Sequence, residues 1–260
     1  MGFSNAVELI VSRCSPIDIN QLVSPRDSIL FGTPLHFAAR HGSRHVVKRL
    51  LAVPNIDVNA VASDGATPLY VAAVNQHLGV AELLLAVPNI HVNAAENLGI
   101  TALHQAANGC LPMMRLLANV PKINLNAAAA DGVTPLHVAV HRGHLDVVDY
   151  LITRQNIDIN VTDHNGFTPL HDAAYKGHLD VTKRLIDTSN IQVDLATNGG
   201  KTPLDYAAVE GHRQIVKLLR PRACCKSAPS KYCSLRCKAF ARCSSRVVVW
   251  YSQLKHGFDA

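Results

Sequence analysis

Aromatic residues are scarce: six Phe, six Tyr and one Trp make up 5% of the 260 residues. A core of ordinary size would carry more, so the interior has to be built from Leu, Val, Ile and Ala, a mixture suited to closely stacked helices. Charge is also sparse, at 17%, while apolar residues reach 48%. That balance excludes disorder over most of the chain. No apolar run approaches the ~18 residues that crossing a bilayer needs. The N-terminal residues Met1 to Asn5 place no basic region before an apolar stretch, so no secretory signal is expected. Ala6 stands where a myristoylation pattern needs Ser or Thr. There is no Gly-x-Ser-x-Gly elbow, no P-loop and no dinucleotide fingerprint.

The net charge of +6 hides two regimes. Residues 220–260 hold nine of the 25 Lys and Arg and one acid, Asp259. The first 219 residues are therefore slightly acidic, with 16 basic and 18 acidic side chains. Cysteine divides the same way. Cys14 and Cys110 lie far apart in the body; Cys224, Cys225, Cys233, Cys237 and Cys243 crowd the tail. A body without a disulfide framework points to a reducing, cytoplasmic compartment, with nuclear or membrane-associated placement as alternatives.

What is present in abundance is repetition. Thr33-Pro34-Leu35-His36-Phe37-Ala38-Ala39 returns from Thr67, Thr101, Thr134, Thr168 and Thr202, at intervals of 34, 34, 33, 34 and 34 residues. A second marker keeps the same phase and ends at Asn59, Asn93, Asn126, Asn160 and Asp194, eight residues before each following Thr. Thr is a good N-cap, and Pro at the first helical position loses no hydrogen bond. Paired alanines let helices approach closely. Gly143, Gly177 and Gly211 can take left-handed backbone at a helix end. Leu145, Val147, Val148, Leu151 and Ile152 repeat at helical spacing. A single helix pair cannot bury such a face, so successive pairs must stack.

Over residues 6–220 this pattern resembles the ankyrin repeat family. Asp64-Gly65, Asp131-Gly132 and Asn165-Gly166 match its hairpins; Gly-His dipeptides at 143, 177 and 211 match its inter-helix turns. The resemblance implies an all-α solenoid of helix-turn-helix units with β-hairpin loops. It would comprise a capping half repeat and loop over 1–32, six repeats over 33–220, and a basic, Cys-rich, poorly ordered tail over 221–260. Residues 4–13 read as a lone second helix, and the loop from Asn20 to Thr33 is five residues longer than its counterparts. The third repeat is one residue short near Asn108, Gly109 and Cys110, and Gln76-His77 replaces Gly-His in the second.

The histidines invite a metal reading, since His137, His141 and His144 have a chelating spacing. The repeat explains them better: His36, His104, His137 and His171 fill one structural slot, and His144, His178 and His212 another. No metal, cofactor or catalytic residue is expected, and Cys14 and Cys110 read as small packing residues.

The resemblance implies a monomeric, non-enzymatic binding module with a concave face of hairpin tips and first helices. Its contact slots fall on Ile100, Val133, Phe167 and Lys201 at the tips, and on Asn108, His141, Arg142, Tyr175, Lys176, Val209 and Glu210 on the helices. Stacking would set equivalent tips at intervals of about 10 Å. Phe167 and Tyr175 are expected to be largely exposed, beside cationic neighbours that suit a partner protein or peptide with an apolar anchor and some acidic residues. Specific nucleic-acid binding is not expected, because no recognition motif accompanies the basic tail. Three readings of that tail stay open: a basic extension, an irregular metal or redox cluster, and a membrane contact with palmitoylation at Cys224 and Cys225, which would make the chain a tethered adaptor. Asn59, Asn93, Asn126 and Asn160 also sit where ankyrin proteins can be hydroxylated by an asparaginyl hydroxylase.

Overall fold

The computed structural model describes residues 18–22 and 32–226, with side chains to residue 220. Among the described residues, twelve α-helices in six pairs follow a short 3-10 turn over Asp18–Asn20. They are α1 Pro34–Arg40 and α2 Arg44–Leu51, α3 Pro68–Val74 and α4 Leu78–Leu85, and α5 Ala102–Ala107 and α6 Leu111–Ala118. The remaining pairs are α7 Pro135–Arg142 and α8 Leu145–Ile152, α9 Pro169–Lys176 and α10 Leu179–Ile186, and α11 Pro203–Val209 and α12 Arg213–Lys226. Each first helix begins one residue after the threonine that the sequence marks. First helices pack on first helices, and second on second, so the pairs form two parallel layers.

The core follows the repeat. Leu35, Leu69, Leu103, Leu136 and Leu170 are fully buried, as are the residues three and four further on in the same helices, all alanines except Val140. Each such leucine contributes about 1.5–3 kcal/mol by leaving water. Val47, Leu50, Leu84, Met113, Leu117, Val148 and Leu151 line the facing side of the second helices. The sparse aromatic content fits this packing: inter-helix spaces are closed chiefly by Leu and Ala, and among the described residues none of the largest fully buried side chains is aromatic.

Among the described residues, loops between repeats turn back as hairpins without forming strands. One residue pair, Ala95 and Thr101, makes an isolated antiparallel bridge among the described residues. The expected β-hairpins are therefore tight turns, closed by bonds such as Ala62 N–H to Ala66 C=O and Asp163 N–H to Phe167 C=O. Neighbouring turns are joined by Asn97 N–H to Asp64 C=O, Ala130 N–H to Leu98 C=O, His164 N–H to Asp131 C=O and Asn198 N–H to Asn165 C=O.

The missing residue of the third repeat is taken from α5, which has six residues where the other first helices have seven or eight. Gly109 then takes φ +102°. The last helix runs past the expected boundary at residue 220 and carries Cys224 and Cys225 in its final turns. The expected capping helix at residues 4–13 and the tail beyond residue 226 lie outside the described residues.

Candidate functional site

Two polar ladders join successive repeats. In the first, Thr33, Thr101, Thr134 and Thr168 each donate a backbone N–H to Nδ1 of the histidine three residues on, at 3.1–3.2 Å. That bond makes Nδ1 an acceptor and leaves the proton on Nε2. Nε2 then donates to the next hairpin: His36 to Ala66 C=O, His104 to Val133 C=O, His137 to Phe167 C=O and His171 to Lys201 C=O. Burial holds His36, His104 and His171 below the usual imidazole pKa.

Tyr70 fills this slot in the second repeat, where its phenol oxygen accepts from Gln105 Nε2 at 3.0 Å. Asp205 fills it in the sixth, accepting from both the backbone N–H and the hydroxyl of Thr202.

The second ladder runs along the marker asparagines. The Nδ2 groups of Asn20, Asn59, Asn93, Asn126 and Asn160 donate to the carbonyls of Asn55, Asn89, Lys122, Asn156 and Asn190. Their Oδ1 atoms accept from the backbone N–H of Asp57, His91, Asn124, Asp158 and Gln192. Asn59, Asn93, Asn126 and Asn160, named above for hydroxylation, thus use both ends of their amides to join adjacent repeats.

These ladders hold the hairpin tips over the first helices and leave a groove between them. Ile100, Asn108, Val133 and Arg142 line a cavity of about 210 Å³ across the third and fourth repeats. Val133, His141 and Arg142 continue into one of about 350 Å³, whose far wall is Asp163 and Asp172. His141 Nδ1 lies 3.3 Å from Asp172 Oδ1. Burial raises the Asp172 pKa above the usual carboxylate value, while His137 and His141 oppose that rise. His137 is committed to Thr134 and Phe167, His141 faces Asp172, and His144 lies against Gly109, so the three do not converge.

The sixth-repeat end of the face is aromatic. Phe167 is half-buried, not outward as expected. Its ring lies 4.9 Å from Tyr206 and 5.6 Å from His171, because stacking brings the next first helix under the tip. Tyr175 is 39% exposed and meets the edge of Tyr206 at 6.1 Å. Lys176 stands over Tyr175 at 5.2 Å and Lys201 over Tyr206 at 5.7 Å, each within cation–π range. Val209 and Glu210 are exposed at the end of α11, apart from the cluster.

The sequence reading missed Tyr206 and Asp172. Both occupy the fourth position after the capping threonine, with Phe37, Val71, Gln105 and Val138 in the other repeats. On a helix that position shares a face with the seventh and eighth, which the reading did use. Among the described residues no helix is long and apolar enough to cross a membrane.

Comparison with known proteins agrees with this architecture. No curated protein sequence matches the chain significantly. In structure it is similar to an ankyrin repeat protein, EF0377, with 26% sequence identity and a TM-score of 0.67 over 71% of this chain and 95% of that one. A family description for ankyrin repeats in three copies matches residues 2–96, 88–163 and 155–228. Such repeats indicate a protein–protein interaction module and are typically non-enzymatic. With the capped helix pairs, the turns and both inter-repeat ladders in place, the match over nearly the whole described chain means that this chain belongs to the ankyrin repeat family.

Proposed function

We infer that the concave face binds a partner protein or peptide, centred on its fifth and sixth repeats. The observation carrying this reading is the half-open aromatic cluster of Phe167, Tyr175 and Tyr206 with Lys176 and Lys201 standing over its rings. Leu170, Ala173 and Ala174 close the helix contacts beneath, so Tyr175, Lys176 and Lys201 are exposed surface groups that the core does not use. Rigid aromatics next to cations are a composition found at interface hot spots. The cations favour an acidic segment of the partner, and their effect should be strongest on the association rate. Ile100, Asn108, Val133, His141 and Arg142 extend the same surface into the middle repeats.

Affinity capture with the full chain and with a Tyr175→Ala/Lys176→Glu variant tests this reading. Both residues are exposed, so the variant should stay folded and melt only slightly below the parent. A partner retained by the parent and lost by the variant supports the concave face. A partner held equally by both places binding elsewhere.

A further inference from the structure

The first two repeats differ from the fifth and sixth at one point of the groove. In the later pair, Phe167 stands immediately before its capping threonine and lays its ring on His171 and Tyr206. The register puts Gly32, His36 and Val71 in those three positions. The histidine is kept, one ring is replaced by a hydrogen atom, and the other by an isopropyl group. A cavity of about 270 Å³ lies at this place, lined by Gly32, Phe37, Arg40, Val71 and Val74 among others. Small-molecule and cofactor sites begin at about 300 Å³, so this one suits a single large side chain.

Phe37 and Val71 are half-buried and Val74 is 45% exposed, which gives the cavity apolar walls and an open mouth. Arg40 is exposed at its edge and has no ion-pair partner among the described residues. Asp64 closes the hairpin side, where its Oδ1 accepts from Ala66 N–H. A second carboxylate is therefore repelled from the hairpin side and attracted to the helix side.

We propose that this cavity is an anchor pocket for one aromatic side chain of a protein partner, with a carboxylate beside that side chain reaching Arg40. The proposal rests on the reading of the concave face as a protein-binding surface and adds a specific seat to it. The chain itself supplies the template: Phe167 shows what fits against a histidine at this register. A large apolar side chain in a closed-sided pocket, with a charge pair at the rim, is the arrangement of an interface anchor.

The test uses N-acetyl-L-phenylalanine, which carries a ring and a carboxylate, titrated into the isotopically labelled full chain and followed by methyl NMR. Shifts are expected at Ala66, Val71 and Val74, with none from N-acetylglycine. Val71→Tyr, which restores the ring found at position 206, should weaken the response at least tenfold. Val74→Glu, a change at an exposed site, should do the same without touching the core. Arg40→Gln should weaken the response to N-acetyl-L-phenylalanine but not to its amide. Equal response to N-acetylglycine, or an unchanged response in both valine variants, overturns the pocket. So does contact of the Val71 and Val74 methyls with residues 23–31 in the ligand-free chain, which would make the chain its own occupant. None of these results bears on the Tyr175 and Lys176 capture experiment, so the pocket can fail while the concave face stands.

Discussion

Phe167 and Tyr206 meet with ring centroids 4.9 Å apart and planes tilted by 47°. A residue at the tip of one repeat is thereby part of the packing of the next. Its truncation should cost both binding and stability. Phe167→Ala is expected to destabilise the chain by about 2 kcal/mol, below the range for a fully buried Phe because the ring is half-buried. Tyr175→Ala, at an exposed edge, should cost under about 1 kcal/mol. Urea unfolding of the two variants side by side checks the contrast; equal costs would remove Phe167 from the inter-repeat packing.

The register of the fold was legible because every first helix starts on the same chemistry: Thr33, Thr67, Thr101, Thr134, Thr168 and Thr202 each stand at the N-cap of the helix that follows. The exposure of Phe167 was not legible. It depends on what the next repeat places beneath it, and Tyr206 lies 39 residues further on. The cavity at Gly32 is hidden for the same reason, since it results from two small residues in different repeats. Asp172 reads as an ordinary surface acid until the groove closes around it. The tip and helix slots at Ile100, Asn108, Val133 and Arg142 were legible, because a fixed repeat carries each slot to a fixed place.

The asparagine ladder should be a large part of the coupling between repeats. Asn126 donates to Asn156 C=O at 2.6 Å and accepts from Asp158 N–H at 2.9 Å. Asn126→Ala removes both bonds and leaves the carbonyl of a left-handed residue without its donor. A loss of about 1–2 kcal/mol is expected, with Asn126→Asp losing less because its acceptor remains. Denaturant melts report the sizes, and hydrogen exchange at Asp158 N–H should rise in the Ala variant.

Acid should loosen the stack. His36, His104 and His171 are held neutral by burial, with pKa values below the ordinary 6.5. The unfolded chain takes up these protons first, so stability is complete above about pH 6.5 and falls as pH drops toward the folded values. Asp172 has the opposite sign. Its raised pKa means that protonation favours the fold as pH decreases toward 3.8 from above. Three histidines against one carboxylate give a net fall in melting temperature between about pH 7 and pH 5. His104→Asp copies the natural solution at Asp205, so its profile should be flatter over that interval. A flat profile in the parent would mean that these rings do not couple to unfolding.

The inter-helix turns contain a compensating pair. A Cβ built on Gly42, Gly109, Gly143 or Gly177 would come within 2.4–2.7 Å of the turn histidine of the following repeat, His77, His144, His178 or His212. Glycine is required there twice over, because these positions also have φ between +65° and +102°. Gln76 holds the same position in the second repeat with φ +57°. The residue following it in the ladder is Cys110, which replaces the histidine and gives the glutamine side chain room. His77, His178 and His212 each donate Nε2–H to a carbonyl of the preceding repeat, namely those of Arg40, His141 and Tyr175. Val74 is the residue in the corresponding place before Cys110. Gln76→Gly alone should stabilise by about 1 kcal/mol, by releasing left-handed strain. Cys110→His alone should destabilise, because the ring collides with Gln76. The double variant should be more stable than the sum of the single changes by about 1–2 kcal/mol, a coupling expected of residues in contact. A double-mutant cycle by denaturant unfolding measures that excess directly. An excess near zero would mean that Gln76 and Cys110 were substituted independently, and that steric exchange does not explain the only non-glycine turn among the described first-to-second helix junctions.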